Sequence, residues 1–67
     1  MSKLYRFVYE DKVLFESEDE LKVDEYVNKW LYDNFDVLDD YANGNLTEEN
    51  VDEQMTWFKA EYIEEVS

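Results

Sequence analysis

Leu4-Tyr5-Arg6-Phe7-Val8-Tyr9 and Val13-Leu14-Phe15, on either side of a polar Glu10-Asp11-Lys12, are dense in aromatic and β-branched residues and read as a hairpin spanning Lys3 to Glu16. Both faces of these strands carry apolar side chains. A two-stranded ribbon is marginal in water, so it calls for a helix over one face and a third strand or a partner beside it.

The next residues, Ser17-Glu18-Asp19-Glu20, have the form of a capping box. The serine hydroxyl accepts from the Glu20 amide and the Glu20 carboxylate returns to the serine amide, so a helix is expected to start there. Val23, Tyr26, Val27, Trp30, Leu31 and Phe35 then recur at helical spacing, with Lys22, Glu25, Lys29, Asp33 and Asp36 opposite. Asn43-Gly44 breaks the pattern. Leu46-Thr47 followed by Val51 reads as a hydrophobic staple around a threonine N-cap, with Glu48 and Glu49 favourable in the first turn of a second helix from Glu48. Val51, Met55, Phe58, Tyr62 and Val66 share its apolar face, while Trp57 falls on the far side with Glu53 and Glu64. Either Trp57 is an exposed aromatic, or the helix stops early and residues near Phe58 to Ile63 form a third strand; residues 57–66 are open between helix and strand. With no repeats or linkers, residues 1–67 read as a single acidic α+β domain, an N-terminal β-hairpin followed by two helices.

The chain has no cysteine, histidine or proline in its 67 residues, near the lower limit at which a core holds itself together unaided. Without cysteine there are no disulfides or thiolate metal sites, which fits a reducing compartment, and a cytoplasmic location is expected. No apolar run is long enough for a signal peptide or a membrane span. The usual general base and thiol nucleophile are missing, and Ser2, Ser17 and Ser67 sit at termini or a helix cap. The expectation is a protein without catalytic activity or cofactor.

Charge is the outlier: 19 acidic residues against 6 basic ones, net -13. Chains this acidic are often disordered. Here aromatics are 18% of the residues and Leu, Ile, Val and Phe make up 18 of 67, above the level at which disorder is the default, so the acids decorate a core. They are dispersed: Glu18, Asp19 and Glu25 near the start of the first helix, Asp33, Asp36, Asp39 and Asp40 near its end, and Glu48, Glu49, Asp52 and Glu53 opening the second. High net charge also simply keeps a protein soluble, but repulsion among like charges penalises a small fold, and the excess suggests a functional gain. A globule of this length is expected to be on the order of 28 Å across, and a duplex segment of that length carries about 16 phosphates. Acids four residues apart on one helix are about 6 Å apart against roughly 3.4 Å per phosphate, so a mimic must pool charges from several elements.

In size, charge, lack of cysteine and aromatic content the chain resembles the small acidic inhibitors with which phages and mobile elements act as DNA mimics. The resemblance is one of class and carries over no residue. It implies binding to a basic groove on a host nuclease, restriction or CRISPR effector or nucleoid protein. Such an inhibitor blocks that partner as a monomer or homodimer, with no direct contact to nucleic acid or membrane. Tyr32 and Trp57 fall off the main apolar stripes, and aromatics set among charge are frequent interface anchors, so they are candidates for specificity in a mimic or in a generic protein-interaction adaptor.

A second resemblance is local. Asp39 to Asn50 is similar to the calcium loop of an EF-hand, with Asp39 first, Asn43 fifth, Gly44 sixth, Leu46 eighth and Thr47 ninth. Tyr41 in third place and Asn50 in twelfth remove the strongest ligands. The alternative, a helix-turn-helix connection whose Asn-Gly break and threonine cap imitate part of the motif, is preferred. Asp39, Asn43 and Thr47 remain the residues that a weak calcium-binding module would use.

Overall fold

In a computed structural model that describes residues 3–66, the hairpin strands are β1 (Leu4–Tyr9) and β2 (Lys12–Ser17). They run antiparallel, with Tyr9 opposite Lys12. The two residues between, Glu10 and Asp11, both have positive φ, 51° and 64°. This is the left-handed pair of a type I′ turn, whose twist suits right-twisted strands but which prefers Asn and Gly. Asp11→Gly is therefore expected to stabilise the protein by about 1 kcal/mol, raising Tm by roughly 4–8 °C. Asp11→Ala removes the same charge without freeing φ and should give no such gain. Thermal melts of the pair decide: equal gains would mean that charge, not backbone, limits the turn.

Phe7 faces Phe15 and Val8 faces Val13, which makes Leu14 an extra residue in β2. The bulge lets Leu14 and Phe15, neighbours in sequence, both pack against the core, which strict alternation forbids. β1 does alternate. Tyr5, Phe7 and Tyr9 face the helices, Phe7 fully buried, while Leu4, Arg6 and Val8 lie on the other face.

The first helix, α1 (Glu20–Asp33), is capped by Asp19 rather than Ser17. Asp19 Oδ1 accepts from the Leu21 amide at 3.0 Å, and Ser17 Oγ accepts from the Asp19 amide at 3.1 Å. Serine supports the cap because the stronger acceptor, whose charge also suits a helix N-terminus, stands two residues later. The long first helix expected to carry Phe35 on its buried face is instead two. Asn34 leaves helical geometry (φ -129°, ψ 50°), and its side-chain Nδ2 donates to the Trp30 carbonyl at 2.9 Å, competing with the helix for its own acceptor. The chain restarts as α2 (Phe35–Tyr41), which leaves Phe35 46% exposed.

α2 ends in a Schellman motif. The Gly44 amide reaches the Asp39 carbonyl and the Asn43 amide the Asp40 carbonyl, both at 3.0 Å, with Asn43 and Gly44 at positive φ. Thr47 and Asn50 then cap each other: the Thr47 amide donates to Asn50 Oδ1 at 2.8 Å and the Asn50 amide to Thr47 Oγ1 at 3.1 Å. The threonine cap is thus present with asparagine as its reciprocal partner. Residues 48–50 form turns, and the helix α3 runs from Val51 to Tyr62, three residues later than expected.

At Ile63 the backbone becomes extended (φ -98°, ψ 122°). β3 (Ile63–Val66) lies antiparallel on the free edge of β1, Ile63 opposite Phe7 and Val66 opposite Leu4, giving the order β2-β1-β3. The third strand exists, but it starts where the expected segment ended: Phe58 and Tyr62 are helical, Trp57 is an exposed aromatic on α3, and Val66 belongs to the sheet. The fold is α+β with an N-terminal hairpin and three helices. α1 lies across β1 and β2, and α2 packs against both α1 and α3. Phe7, Val23, Val27, Leu31, Leu38, Met55 and Phe58 form the buried core. A 3.0 Å ion pair between Asp24 and Lys59 ties the first half of α1 to the last turn of α3.

Candidate partner-binding surface

Of the nineteen carboxylates, three meet a cation: Glu65 with Lys3, Glu16 with Arg6 and Asp24 with Lys59. Among the described residues the other sixteen have no lysine or arginine within ion-pair distance. Glu18, Asp19, Glu25, Asp33, Asp36, Asp39, Asp40, Glu48, Glu49, Asp52 and Glu53 are all exposed. Glu18 and Asp19 lie at the start of α1, and Glu25 on its outer side. The remaining eight belong to the end of the molecule where α1 finishes, α2 sits and α3 begins.

That grouping has a signal that reading individual acids missed. No lysine or arginine occurs between Lys29 and Lys59, while those eight carboxylates do. Several sit where they oppose the helices that carry them. Asp33 closes α1 and Asp39 and Asp40 close α2, with no basic residue in either last turn. A negative charge at a helix C-terminus is unfavourable by about 0.3–1 kcal/mol, so solubility alone does not explain the positions.

The same end carries an apolar groove of about 390 Å³ lined by Tyr32, Phe35, Leu46 and Val51, with Asp39, Thr47 and Glu48 at its edge. Tyr32 is 68% exposed. Phe35, which periodicity assigned to the core, joins it here because the break at Asn34 turns its ring outward. Trp57, 58% exposed, does not line the groove; its indole Nε1 donates to Glu53 Oε1 at 3.3 Å. The two off-stripe aromatics therefore serve different surfaces.

No family model, curated protein or solved structure matches the chain.

The segment similar to a calcium loop has another structure. Asp39 is helical, its carbonyl accepts from Gly44, Asn43 is the left-handed residue of the Schellman motif, and the Thr47 hydroxyl is used in capping. Among the described residues no group of three or more carboxylates is disposed around a common point as a metal site, and no helix is long and apolar enough to cross a membrane.

The molecule measures 40 × 23 × 17 Å, longer than the expected globule, and the charge comparison changes with it. Thirteen net charges over 40 Å is one per about 3.1 Å. As an average over the whole length this is comparable to the roughly 3.4 Å per phosphate of one nucleic-acid strand, but the eight grouped carboxylates make the distribution uneven.

Tyr5, Tyr9 and Tyr41 have phenols pushed above their ordinary value of 10.0, first by burial and then by nearby carboxylates, chiefly Glu65, Glu10 and Glu61 respectively. The folded state holds these protons more tightly than the unfolded chain. Their contribution to stability is complete below pH 10 and is lost as pH climbs through the folded values. Urea denaturation at about pH 9 and about pH 11 should show a drop that Tyr9→Phe makes smaller. An unchanged drop in that variant would mean that Tyr9 takes no part.

Proposed function

We propose that this protein is a stoichiometric decoy for nucleic acid, binding the basic groove of a host DNA- or RNA-binding protein and blocking it. The observation that carries this reading is the cation-free run between Lys29 and Lys59. Its eight exposed carboxylates crowd one end of the molecule, some at helix ends where they weaken the fold. A groove lined with lysine and arginine provides the positive potential such a surface needs.

The test is capture of partners from cell lysate by the immobilised protein, followed by elution with duplex or single-stranded DNA or with moderate salt. A basic nucleic-acid-binding protein released by both supports the decoy. A neutral or acidic partner, or binding indifferent to salt and nucleic acid, sinks it.

The helix-end argument also makes a prediction within the fold. The double variant Asp39→Asn, Asp40→Asn is expected to gain about 1 kcal/mol, or roughly 4–8 °C in Tm, while binding the captured partner more weakly. Asp52→Asn, which neutralises a carboxylate in the first turn of α3, should lose a few tenths of a kcal/mol. Calorimetric melts showing the same sign for both variants would defeat the explanation.

A further inference from the structure

The groove between the end of α1 and the start of α3 adds a demand that charge alone does not make. Its floor is apolar and partly aromatic, with Tyr32 and Phe35 from one side meeting Leu46 and Val51 from the other. Its edge carries Asp39 and Glu48, and the surrounding residues bear only negative charge between Lys29 and Lys59. Exposed aromatic surface beside two carboxylates is of no use to a polyanion mimic that needs only long-range attraction, and it is poorly solvated. A purely apolar partner would desolvate Asp39 and Glu48 without replacing their water. A purely cationic one would leave the floor wet. The surface complementary to both is an apolar side chain with lysine or arginine on either side of it.

We propose that this groove receives a bulky apolar side chain projecting from a cationic segment of the partner protein, with flanking lysines or arginines meeting Asp39 and Glu48. The proposal rests on the decoy reading and gives it a specificity element: charge brings the basic surface in, and the groove selects the one presenting an apolar side chain at the right place. Such anchors bury a large side chain while a polar rim excludes water, and a few of them carry most of the binding energy of an interface. Leu46 and Val51 are held by the reciprocal Thr47 and Asn50 cap, so the wall is formed before anything binds.

The test uses a short amphipathic helical peptide of leucine and lysine, and the same peptide with every leucine replaced by alanine, titrated into the full chain and followed by backbone amide resonances. The leucine peptide is expected to bind about tenfold more tightly than the alanine peptide, with the largest shifts at Tyr32, Phe35, Leu46 and Val51. Tyr32→Ser and Phe35→Ser, both at exposed positions, should each remove most of that advantage. Equal binding of the two peptides, or a leucine advantage that survives both substitutions, overturns the groove proposal. So does a concentration-dependent dimer that Tyr32→Ser dissociates, because the occupant is then a second copy. If the alanine peptide still binds with strong salt dependence in those cases, the decoy reading stands without its anchor. If neither peptide binds even at low salt, both fail together.

Discussion

Phe58→Ala is expected to remove about 3–5 kcal/mol from a protein whose whole stability, at its length, is roughly 3–10 kcal/mol. Much of the population should be unfolded at room temperature. Phe58 is 1% exposed and is the ring on which the sheet and all three helices converge. Its centroid lies 4.4 Å from that of Tyr62, 5.4 Å from Tyr41, 6.1 Å from Tyr9, 6.3 Å from Phe7 and 6.4 Å from Trp30. Those partners come from α3, α2, β1 and α1. Truncation opens a cavity at the centre of this aromatic cluster, and the pairs that Phe58 makes lose their edge and stacking contacts as well as their burial. Trp57→Ala, one residue earlier on the exposed face, should change stability little. Urea denaturation of the two variants separates core from surface, and similar midpoints for them would contradict the packing described above.

Removing residues 63–67 should cost a comparable amount. β3 contributes only four residues, but Ile63 packs on the core and the strand pairs with Leu4 to Phe7 of β1. Losing a partly buried isoleucine and the net value of several ladder hydrogen bonds comes to roughly 3–5 kcal/mol. It also returns the sheet to the two-stranded ribbon that cannot stand alone. Far-UV circular dichroism and gel filtration should report an expanded chain with little cooperative melting. Ile63→Ala, which keeps the backbone pairing, should show an intermediate loss. A truncated protein melting at the parental midpoint would mean that the third strand is an accessory.

The hairpin and the buried faces of α1 and α3 were legible because their signals are local and redundant: aromatic density around a polar turn, and Val23, Val27, Leu31 or Met55 and Phe58 at helical spacing. The break after Asp33 was not, since Phe35 continues the helical period and the deciding event is one asparagine amide turning back to the Trp30 carbonyl. Capping by Asp19 was hidden by a serine two residues earlier that fits the same pattern. The place of β3 depended on an edge of β1 that only assembly leaves open, and Ile63-Glu64-Glu65-Val66 has little strand character of its own. Of the partner surface, every carboxylate could be named in advance. The groove could not, because it is made from residues 32 to 51 only after Asn34 has turned Phe35 away from the core.

The sheet order also sets when this protein can fold. β1, the most apolar and least acidic strand, occupies the centre, and its two neighbours come from opposite ends of the sequence: Phe7 pairs with Phe15 on one side and with Ile63 on the other. Closing a loop from residue 7 to residue 63 is slow relative to forming any hairpin or helix here. During synthesis, at roughly 5–20 residues per second, one edge of β1 therefore waits for several seconds with its amides and carbonyls unpaired. A strand reading Leu-Tyr-Arg-Phe-Val-Tyr is a segment that other chains can add to. All nineteen acidic residues follow it, so their addition to the nascent chain increases the repulsion between neighbouring copies while that edge is open. The carboxylates that weaken the finished fold thus act earlier as its protection, and neutralised variants that are more stable once folded should be harder to express in soluble form.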